Sequence, residues 1–284
     1  TLNNVSFQTD LDSVDQEATY QYWLFQHNGE VKKTETHQKV TSILQPALME
    51  RILPFIDEIY PGEDVKPCFS FVRRYTQRED EERMKHPTHF DIQSYATFVV
   101  SLSDFDDFEG GLYVATSENK RRYFDLKSGD GALHQSDLLH GVHVSEGTRW
   151  SWIVWFKPGG KCASDPTTWH KNQAESGDPI HQFLHAHRTH SALSEKKATA
   201  KEAESTKFTW LKKSAENGFA RAQNEVGHFL RTKENQTPKE HQEAKKWLQK
   251  AVALEEPEAF YNLGLWELDN DQETAATKLF EQAC

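Results

Sequence analysis

Three short fragments of this chain contain residue types that can do chemistry together: His-Phe-Asp at 89–91, His-Gly at 140–141 and Gly-Thr-Arg-Trp-Ser at 147–151. Two histidines and one carboxylate can bind a divalent transition metal through three nitrogen and oxygen atoms. This set leaves half of an octahedral coordination sphere open, which is typical of sites that activate small molecules at Fe(II). The fragments therefore predict a metal site made of His89, Asp91 and His140.

The spacing of the candidate ligands fits a β-structure. Residues i and i+2 of a strand share a face, so His89 and Asp91 are expected to point into one cavity while Phe90 points away. His140 follows Asp91 by 49 residues and must come from a distant strand that folds back.

Two other histidines, His134 and His143, compete with His140 for the third ligand position. The nine-residue spacing between His140 and Arg149 favours His140. We expect the other two to lie in the cavity wall or on the surface.

The run 149–156 alternates in a way that predicts a strand with two distinct faces. Arg149, Ser151, Ile153 and Trp155 would share the inner face. A buried arginine needs an anionic partner, and a bound carboxylate can supply it through a bidentate pair. Ser151 can donate a hydrogen bond to the same carboxylate. A structural ion pair for Arg149, and plain packing for Ser151, are the alternatives.

Elements that could position these residues are visible on both sides. Residues 38–60 have apolar residues at helical spacing, with Pro54 expected to kink the helix. Several short apolar or β-branched runs separated by Gly, Asp and Ser then predict strands of a sandwich or jelly roll. These runs are 68–75, 94–104, 110–116, 121–126, 131–135 and 149–156. The charged run 76–85 predicts a solvated loop, or alternatively a mobile lid.

Composition limits the function classes. The chain has 284 residues and a net charge of −11, and residues 1–158 hold 16 Lys+Arg against 25 Asp+Glu. An acidic half that carries the metal motif argues against a nucleic-acid partner. No apolar run approaches the roughly 18 residues of a membrane span, so we expect a soluble protein, in the secretory pathway or the cytoplasm. Three cysteines without close spacing predict neither a disulfide framework nor a cysteine zinc site.

The C-terminal part predicts helical repeats. Residues 208–230 realign with 245–268, with Trp210 matching Trp247 and Gly227 matching Gly264. Each pair is 37 residues apart, a period typical of α-solenoids. We therefore expect a connector over 159–205 and a repeat domain over 206–284. The repeat surface would recruit a protein or extend a substrate groove.

The order and spacing of the motifs in residues 67–158 resemble the prolyl-4-hydroxylase-type Fe(II)/2-oxoglutarate dioxygenases. The matching motifs are the H-x-D at 89–91, the Asp-Phe-Glu-Gly-Gly turn at 107–111, the Gly-Asp strand start at 129–130 and the run from His140 to Arg149. The C-terminal segment resembles Sel-like, tetratricopeptide-related repeats. Residues 1–158 would then be the dioxygenase domain.

This resemblance implies an α+β protein with a double-stranded β-helix (jelly roll) and a C-terminal α-helical repeat domain. It implies that His89, Asp91 and His140 bind iron, and that Arg149 holds the distal carboxylate of 2-oxoglutarate. Tyr75 and Trp155 match family positions near the co-substrate, and ascorbate would serve as reductant. The reaction would be hydroxylation of a prolyl residue in a peptide or protein.

Other interpretations of the same residues stay open at this point. The substrate could be another amino-acid side chain or a small molecule. A non-catalytic binding platform that keeps the oxygenase fold, or a cupin-like metal sensor, is an alternative of a different class. The complete set of ligands together with Arg149 favours the enzyme.

Overall fold

The computed structural model describes residues 8–12, 17–27, 31, 33–76, 83–117, 120–162, 167–195 and 199–283. The chain divides into two compact units, residues 1–116 with 121–165, and residues 117–120 with 166–284. The first unit contains all the predicted metal and co-substrate residues. Residues 77–82, most of the predicted charged loop or lid, lie outside the described part of the chain.

The described part of the first unit is built on nine strands and two helices. The strands are β1 (Gln8–Leu11), β2 (Ala18–Gln26), β3 (Lys66–Thr76), β4 (Lys85–His89), β5 (Ala96–Ser101), β6 (Phe108–Ser117), β7 (Lys120–Tyr123), β8 (Gly131–Gln135) and β9 (His140–Lys157). Six of them follow one another in the order β1-β2-β3-β9-β5-β8, while β4 and β6 pair with β9, and β7 pairs with β6. The strand pairs whose registers are resolved are antiparallel.

Strand β9 belongs to two sets of partners along its 18 residues. Residues 140–147 pair with β4 and β6, and residues 148–157 pair with β3 and β5. One strand therefore carries both His140 and Arg149, each in a different half. The predicted antiparallel β-architecture is confirmed, while its finer assignment to a double-stranded β-helix stays a prediction.

The predicted faces of β9 are confirmed by the side chains they contact. The outer residues Trp150, Trp152, Val154 and Phe156 are buried in one apolar cluster that also contains residues of the helical region, such as Ile52 and Ile56. Ile153 belongs to a second cluster with Phe71 and Tyr75 of β3. Alternation places the two sets on opposite sides of the sheet because successive strand side chains point to opposite faces.

The helical region at 35–59 contains α1 (Glu35–Ala47), a π-helical turn (Leu48–Ile52) and α2 (Leu53–Ile59). The kink predicted at Pro54 corresponds to the π-helical turn that ends just before it, at Ile52. Pro54 stands in the first turn of α2, where its missing N–H is tolerated, and the N–H of Leu53 instead donates to the carbonyl of Leu48.

The prediction that the cysteines form no disulfide framework is wrong. Cys68 and Cys162 form a disulfide with Cα atoms 5.2 Å apart and a sequence separation of 94. Cys68 lies near the start of β3, and Cys162 follows the end of β9. The register pairs Lys66 with Lys157, so the pairing of the two strands brings the cysteines together. No local spacing signal could show this.

The second unit is helical where it is described. Its helices are α3 (Thr167–Glu175), α4 (Pro179–Glu195), α5 (Ala200–Glu216), α6 (Ala220–Thr232), α7 (Pro238–Ala253), α8 (Pro257–Leu268) and α9 (Glu273–Ala283). Most of the predicted connector 159–205 is thus helical. A Cβ on Gly227 would lie 2.6 Å from Leu248, and one on Gly264 would lie 2.5 Å from Phe280. The two matched glycines therefore allow similar close helix contacts, α6 with α7 and α8 with α9.

None of the described helices combines the length and apolar character needed to cross a bilayer.

Candidate metal centre

The structure brings the three predicted metal ligands together. Ligand atoms of His89, Asp91 and His140 all lie within 4.8 Å of one another. His89 ends β4 and is the direct cross-strand partner of His140 at the start of β9. Asp91 lies two residues beyond the end of β4, in a turn closed by a hydrogen bond from the N–H of Ser94 to the Asp91 carbonyl. The expectation that both ligands of the H-x-D lie inside a strand is therefore wrong for Asp91.

Both histidines have a fixed tautomer that suits metal binding. Nδ1–H of His89 donates to the carbonyl of Pro87 (2.8 Å), and Nδ1–H of His140 donates to the carbonyl of Leu138 (3.0 Å). Each Nε2 is then free of hydrogen and points its lone pair toward Asp91, at 3.4 Å for His89 and 3.8 Å for His140. Backbone carbonyls orient metal-binding histidines in the same way.

The carboxylate of Asp91 is buried and ionised. Thr97 on β5 donates a hydrogen bond of 2.6 Å to its Oδ2. Burial alone would raise the pKa of Asp91, but the positive charge of His140 and a hydrogen bond from His89, both of which need the protonated rings present at low pH, outweigh burial and hold that pKa well below its usual range. Burial lowers the pKa of His140 to about 4 and also lowers the pKa of His89. A neutral imidazole pair around an ionised carboxylate is the donor set that a divalent cation requires.

Arg149 is buried in the same unit, with 2% of its surface exposed. Its Nη1 donates to the hydroxyl of Ser151 (3.2 Å), and the guanidinium lies 6.0 Å from the ring centre of Phe108. In the described part of the chain, no carboxylate forms an ion pair with it. Burial lowers the pKa of Arg149 to about 10. A desolvated cation of this kind calls for an anion from outside the chain.

The other predicted co-substrate residues line the same interior. Tyr75 of β3 is the cross-strand partner of Arg149, and Trp155 of β9 is the partner of Thr97. Trp155 also packs edge-on against Phe71. The structure therefore places Tyr75, Ser151 and Trp155 on the predicted inner face, beside the Arg149 and Asp91 side chains.

Arg73 links the two ends of this interior. Burial lowers the pKa of Arg73, but a hydrogen bond with Tyr75 and the negative charges of Asp12 and Asp91 outweigh burial and raise it. Tyr75 adjoins Arg149, and Asp91 is the carboxylate of the metal triad. The half-buried Arg73 therefore lies close to residues of both the predicted co-substrate end and the predicted metal end.

Several contributors were missed from the sequence. Thr97 gave no signal because a threonine inside an apolar strand is ordinary. Asp12 and His86 form a buried pair, with His86 Nε2 2.9 Å from Asp12 Oδ2, and Asp12 also accepts from Arg73 (3.1 Å). The His86 ring lies 4.1 Å from that of His89, so the pair supports the first ligand. Asp12 and His86 are 74 residues apart in sequence, so no local pattern predicts that they pair.

The two histidines that competed with His140 have different places. His143 lies away from the triad, with Nδ1 3.4 Å from the hydroxyl of Tyr123. His134 lies inside the site, with its ring 4.1 Å from that of His140, but it is not one of the three residues whose ligand atoms cluster within 4.8 Å. The spacing to Arg149 thus selected the histidine that the structure also places with His89 and Asp91.

Comparison with known proteins gives one similar curated protein. It is a PKHD-type hydroxylase of Idiomarina loihiensis, 32% identical over 91 residues, a match that covers 30% of this chain and 39% of that protein. The chain resembles the Fe(II)/2-oxoglutarate-type hydroxylases. The chain spans about two fifths of the length of this relative. No protein-family model matches the chain.

Solved structures with detectable likeness include two oxygenases and a repeat protein. A 2OG-Fe(II) oxygenase family protein of Burkholderia pseudomallei is 13% identical, with a TM-score of 0.41 over 55% of this chain and 74% of that one. A prolyl hydroxylase of Trichoplax adhaerens is 14% identical, with a TM-score of 0.40 over 53% and 70%. A Sel1 repeat protein of Oxalobacter formigenes is 26% identical, with a TM-score of 0.32 over 40% and 84%.

Proposed function

We propose that this protein is an Fe(II)- and 2-oxoglutarate-dependent hydroxylase whose first unit is a double-stranded β-helix. The observation that carries the proposal is the pairing, in one interior, of a three-ligand cation site with a buried arginine that has no carboxylate partner in the described part of the chain. A metal site alone fits many functions. A metal site with an adjacent desolvated cation fits a co-substrate that chelates the metal at one end and carries a carboxylate at the other.

His89, Asp91 and His140 would hold Fe(II), since their donor atoms, tautomers and ionisation states fit it. When bound, the iron would supply the redox chemistry by which O₂ and 2-oxoglutarate become succinate, CO₂ and one hydroxyl oxygen on the substrate. The chain contributes orientation: the carbonyls of Pro87 and Leu138 fix the two imidazoles, and Thr97 fixes the carboxylate.

Arg149 would bind the distal carboxylate of 2-oxoglutarate. Its guanidinium already donates one hydrogen bond to Ser151, so the Ser151 hydroxyl hydrogen is free to turn toward the same carboxylate. Tyr75 is buried on the neighbouring strand and can donate a third hydrogen bond from its phenol. Burial of all three groups excludes water, which strengthens each interaction with the anion.

The substrate proposed first is a prolyl residue in a peptide or protein. The resemblance to prolyl-4-hydroxylase-type enzymes supports a prolyl substrate, and the hydroxylase name of the similar curated protein supports hydroxylation without naming the residue. Another amino-acid side chain or a small molecule is the alternative substrate. Ascorbate as reductant comes from the resemblance alone.

The second unit is proposed to recruit a protein substrate through its helices. The matched glycines at 227 and 264 and the 37-residue spacing support a repeat architecture of the Sel-like type. Comparing the full chain with a variant that ends at residue 165 tests this role. Hydroxylation of a protein substrate should fall in the shorter variant while uncoupled 2-oxoglutarate turnover persists.

A binding platform without catalysis is the rival function. It predicts that metal and 2-oxoglutarate bind without turnover. Release of CO₂ from 2-oxoglutarate labelled at C1, with Fe(II) and O₂ present, separates the two, and a gain of one oxygen mass in a peptide library identifies the substrate. No CO₂ release above a metal-free control, with metal and co-substrate both bound, would favour the platform.

A further inference from the structure

His134 on β8 is a third imidazole at the candidate metal centre that the proposed ligand set does not use. Its Nε2 is buried and has no hydrogen-bond partner among the described residues. The same atom lies 3.8 Å from Oδ2 of Asp91, the distance that also separates His140 Nε2 from that oxygen. His134 is the cross-strand neighbour of Thr97, which donates to Asp91.

The tautomer of His134 matches that of the two proposed ligands. Nδ1–H donates to the carbonyl of Gln135 at 3.0 Å, so Nε2 of the neutral ring carries a lone pair and no hydrogen. The 3.8 Å from Nε2 to Asp91 Oδ2 is too long for a hydrogen bond, which agrees with a ring that has no hydrogen on Nε2. The lone pair of His134 Nε2 therefore faces the ionised carboxylate of Asp91, so two hydrogen-bond acceptors lie opposite each other.

An unsatisfied buried acceptor beside a carboxylate is costly unless a donor or a cation lies between them. In the metal-free arrangement Nε2 has almost no accessible surface, so neither bulk solvent nor an external substrate reaches it. The partner must therefore enter together with the metal. Direct metal ligation is disfavoured, since His134 falls outside the set of ligand atoms that lie within 4.8 Å of one another.

We propose that His134 accepts a hydrogen bond from a water molecule carried by the metal, and so acts as a positioning residue that strengthens metal binding. The inference rests on the proposed metal site and is independent of the reaction and its substrate. It explains why a third histidine is held in the tautomer of a ligand without joining the ligand set. Outer hydrogen-bonding partners of this kind typically contribute about 10- to 100-fold in metal affinity.

The experiment compares His134→Phe and His134→Gln with the natural chain. Calorimetric titration of the metal-free full-length protein with Mn(II) or Co(II) gives the affinity, and thermal unfolding in chelator gives the stability without metal. His134→Phe should bind metal about 10- to 100-fold more weakly. Its metal-free form should melt no lower than the natural protein, because the substitution removes an unsatisfied acceptor. His134→Gln keeps an acceptor oxygen and should recover part of the affinity.

A purely structural role predicts the opposite pattern, a lower melting temperature without metal and an unchanged affinity, and that pattern would overturn the inference. His143→Phe is the matched control, since His143 lies on β9 outside the triad, and its affinity should be unchanged. If His134→Phe does not fold, an unchanged affinity of His134→Ala or His134→Leu, either of which also lacks the acceptor, overturns the inference equally well.

The mode of contact has its own measurement. Pulsed electron paramagnetic resonance of the Cu(II)-loaded natural protein counts bound imidazoles. Two are expected, and three would overturn the proposed hydrogen-bonding role because His134 would then be a ligand. If the natural protein binds no divalent metal at all, the proposed metal site itself fails, which is a result distinct from failure of this inference.

Discussion

Arg149 and Tyr75 face each other as cross-strand partners on β9 and β3, and both side chains are 2% exposed. A buried guanidinium beside a buried phenol has donors in excess and no carboxylate in the described part of the chain to accept from them. In the proposed function, the pair binds the distal carboxylate of the co-substrate, and the metal held by His89, Asp91 and His140 binds the other end.

Replacing Arg149 tests the anion end. Arg149→Ala removes a charge-assisted pair to a buried carboxylate, a loss on the order of 3–5 kcal/mol. The Kd for 2-oxoglutarate should rise at least about a hundredfold, while the Kd for Mn(II) changes little. Arg149→Lys should be intermediate because the charge stays but the bidentate geometry is lost. Equal 2-oxoglutarate affinity in the natural protein and the alanine variant would contradict this assignment.

Thr97→Val tests the support of the carboxylate ligand. The substitution keeps the shape of the side chain and removes the hydrogen bond to Asp91 Oδ2. Metal affinity should fall by roughly tenfold or more. Thr76→Val is the matched control. It removes a partly buried hydrogen bond between the Thr76 and Thr148 hydroxyls, eight strand positions from His140, so stability should fall while metal affinity holds. Similar metal affinities for the two variants would remove Thr97 from the site.

The metal-free protein should lose stability as the pH falls from about 6.5 to about 4. The pKa values of His134 and His140 are lowered to about 4 in the folded state, against an ordinary value of 6.5. Between pH 6.5 and about 4 the two histidines bind protons in the unfolded chain but stay neutral in the folded chain. Acidification therefore favours unfolding. The lowered pKa of Asp91 extends the loss to still lower pH.

Melting temperatures measured in chelator across this pH range check the effect, and His134→Phe should show a shallower dependence than the natural protein. A parallel dependence in the two proteins would show that His134 is not buried in neutral form.

The disulfide should contribute to stability without contributing to the metal site. It closes a loop of 94 residues, and loss of a disulfide typically costs about 2–5 kcal/mol. Cys162→Ser should therefore lower the melting temperature by several degrees and leave Mn(II) affinity unchanged. Thiol titration of the denatured, unreduced protein provides a direct check: three reactive thiols would show that Cys68 and Cys162 are not joined.

The sequence predicted what local periodicity and spacing determine. Alternation predicted the two faces of β9, and the spacing from His140 to Arg149 selected, over His143, the histidine that the structure places with His89 and Asp91. A series of short strands and a helical C-terminal region also followed from composition and pattern.

The features that the sequence did not predict depend on contacts between residues that are far apart in the chain. The disulfide of Cys68 with Cys162 and the contact of His86 with Asp12 depend on how distant parts of the chain come together, which no single stretch of residues encodes. Asp91 lies outside β4 because the turn after this strand is closed by backbone hydrogen bonds, among them the one from the N–H of Ser94 to the carbonyl of Asp91. The role of Thr97 depends on which neighbour its hydroxyl meets, so the residue type alone could not reveal it.

The most direct test is an anaerobic titration of the Fe(II)-loaded natural protein with 2-oxoglutarate, followed by visible absorption. Chelation of iron by the co-substrate should produce a saturable new band, absent in His140→Ala and requiring much higher 2-oxoglutarate in Arg149→Ala. His143→Ala should behave like the natural protein. If Fe(II) binds and no band appears, or if the band survives in His140→Ala and is lost in His143→Ala, the assignment of this site is wrong.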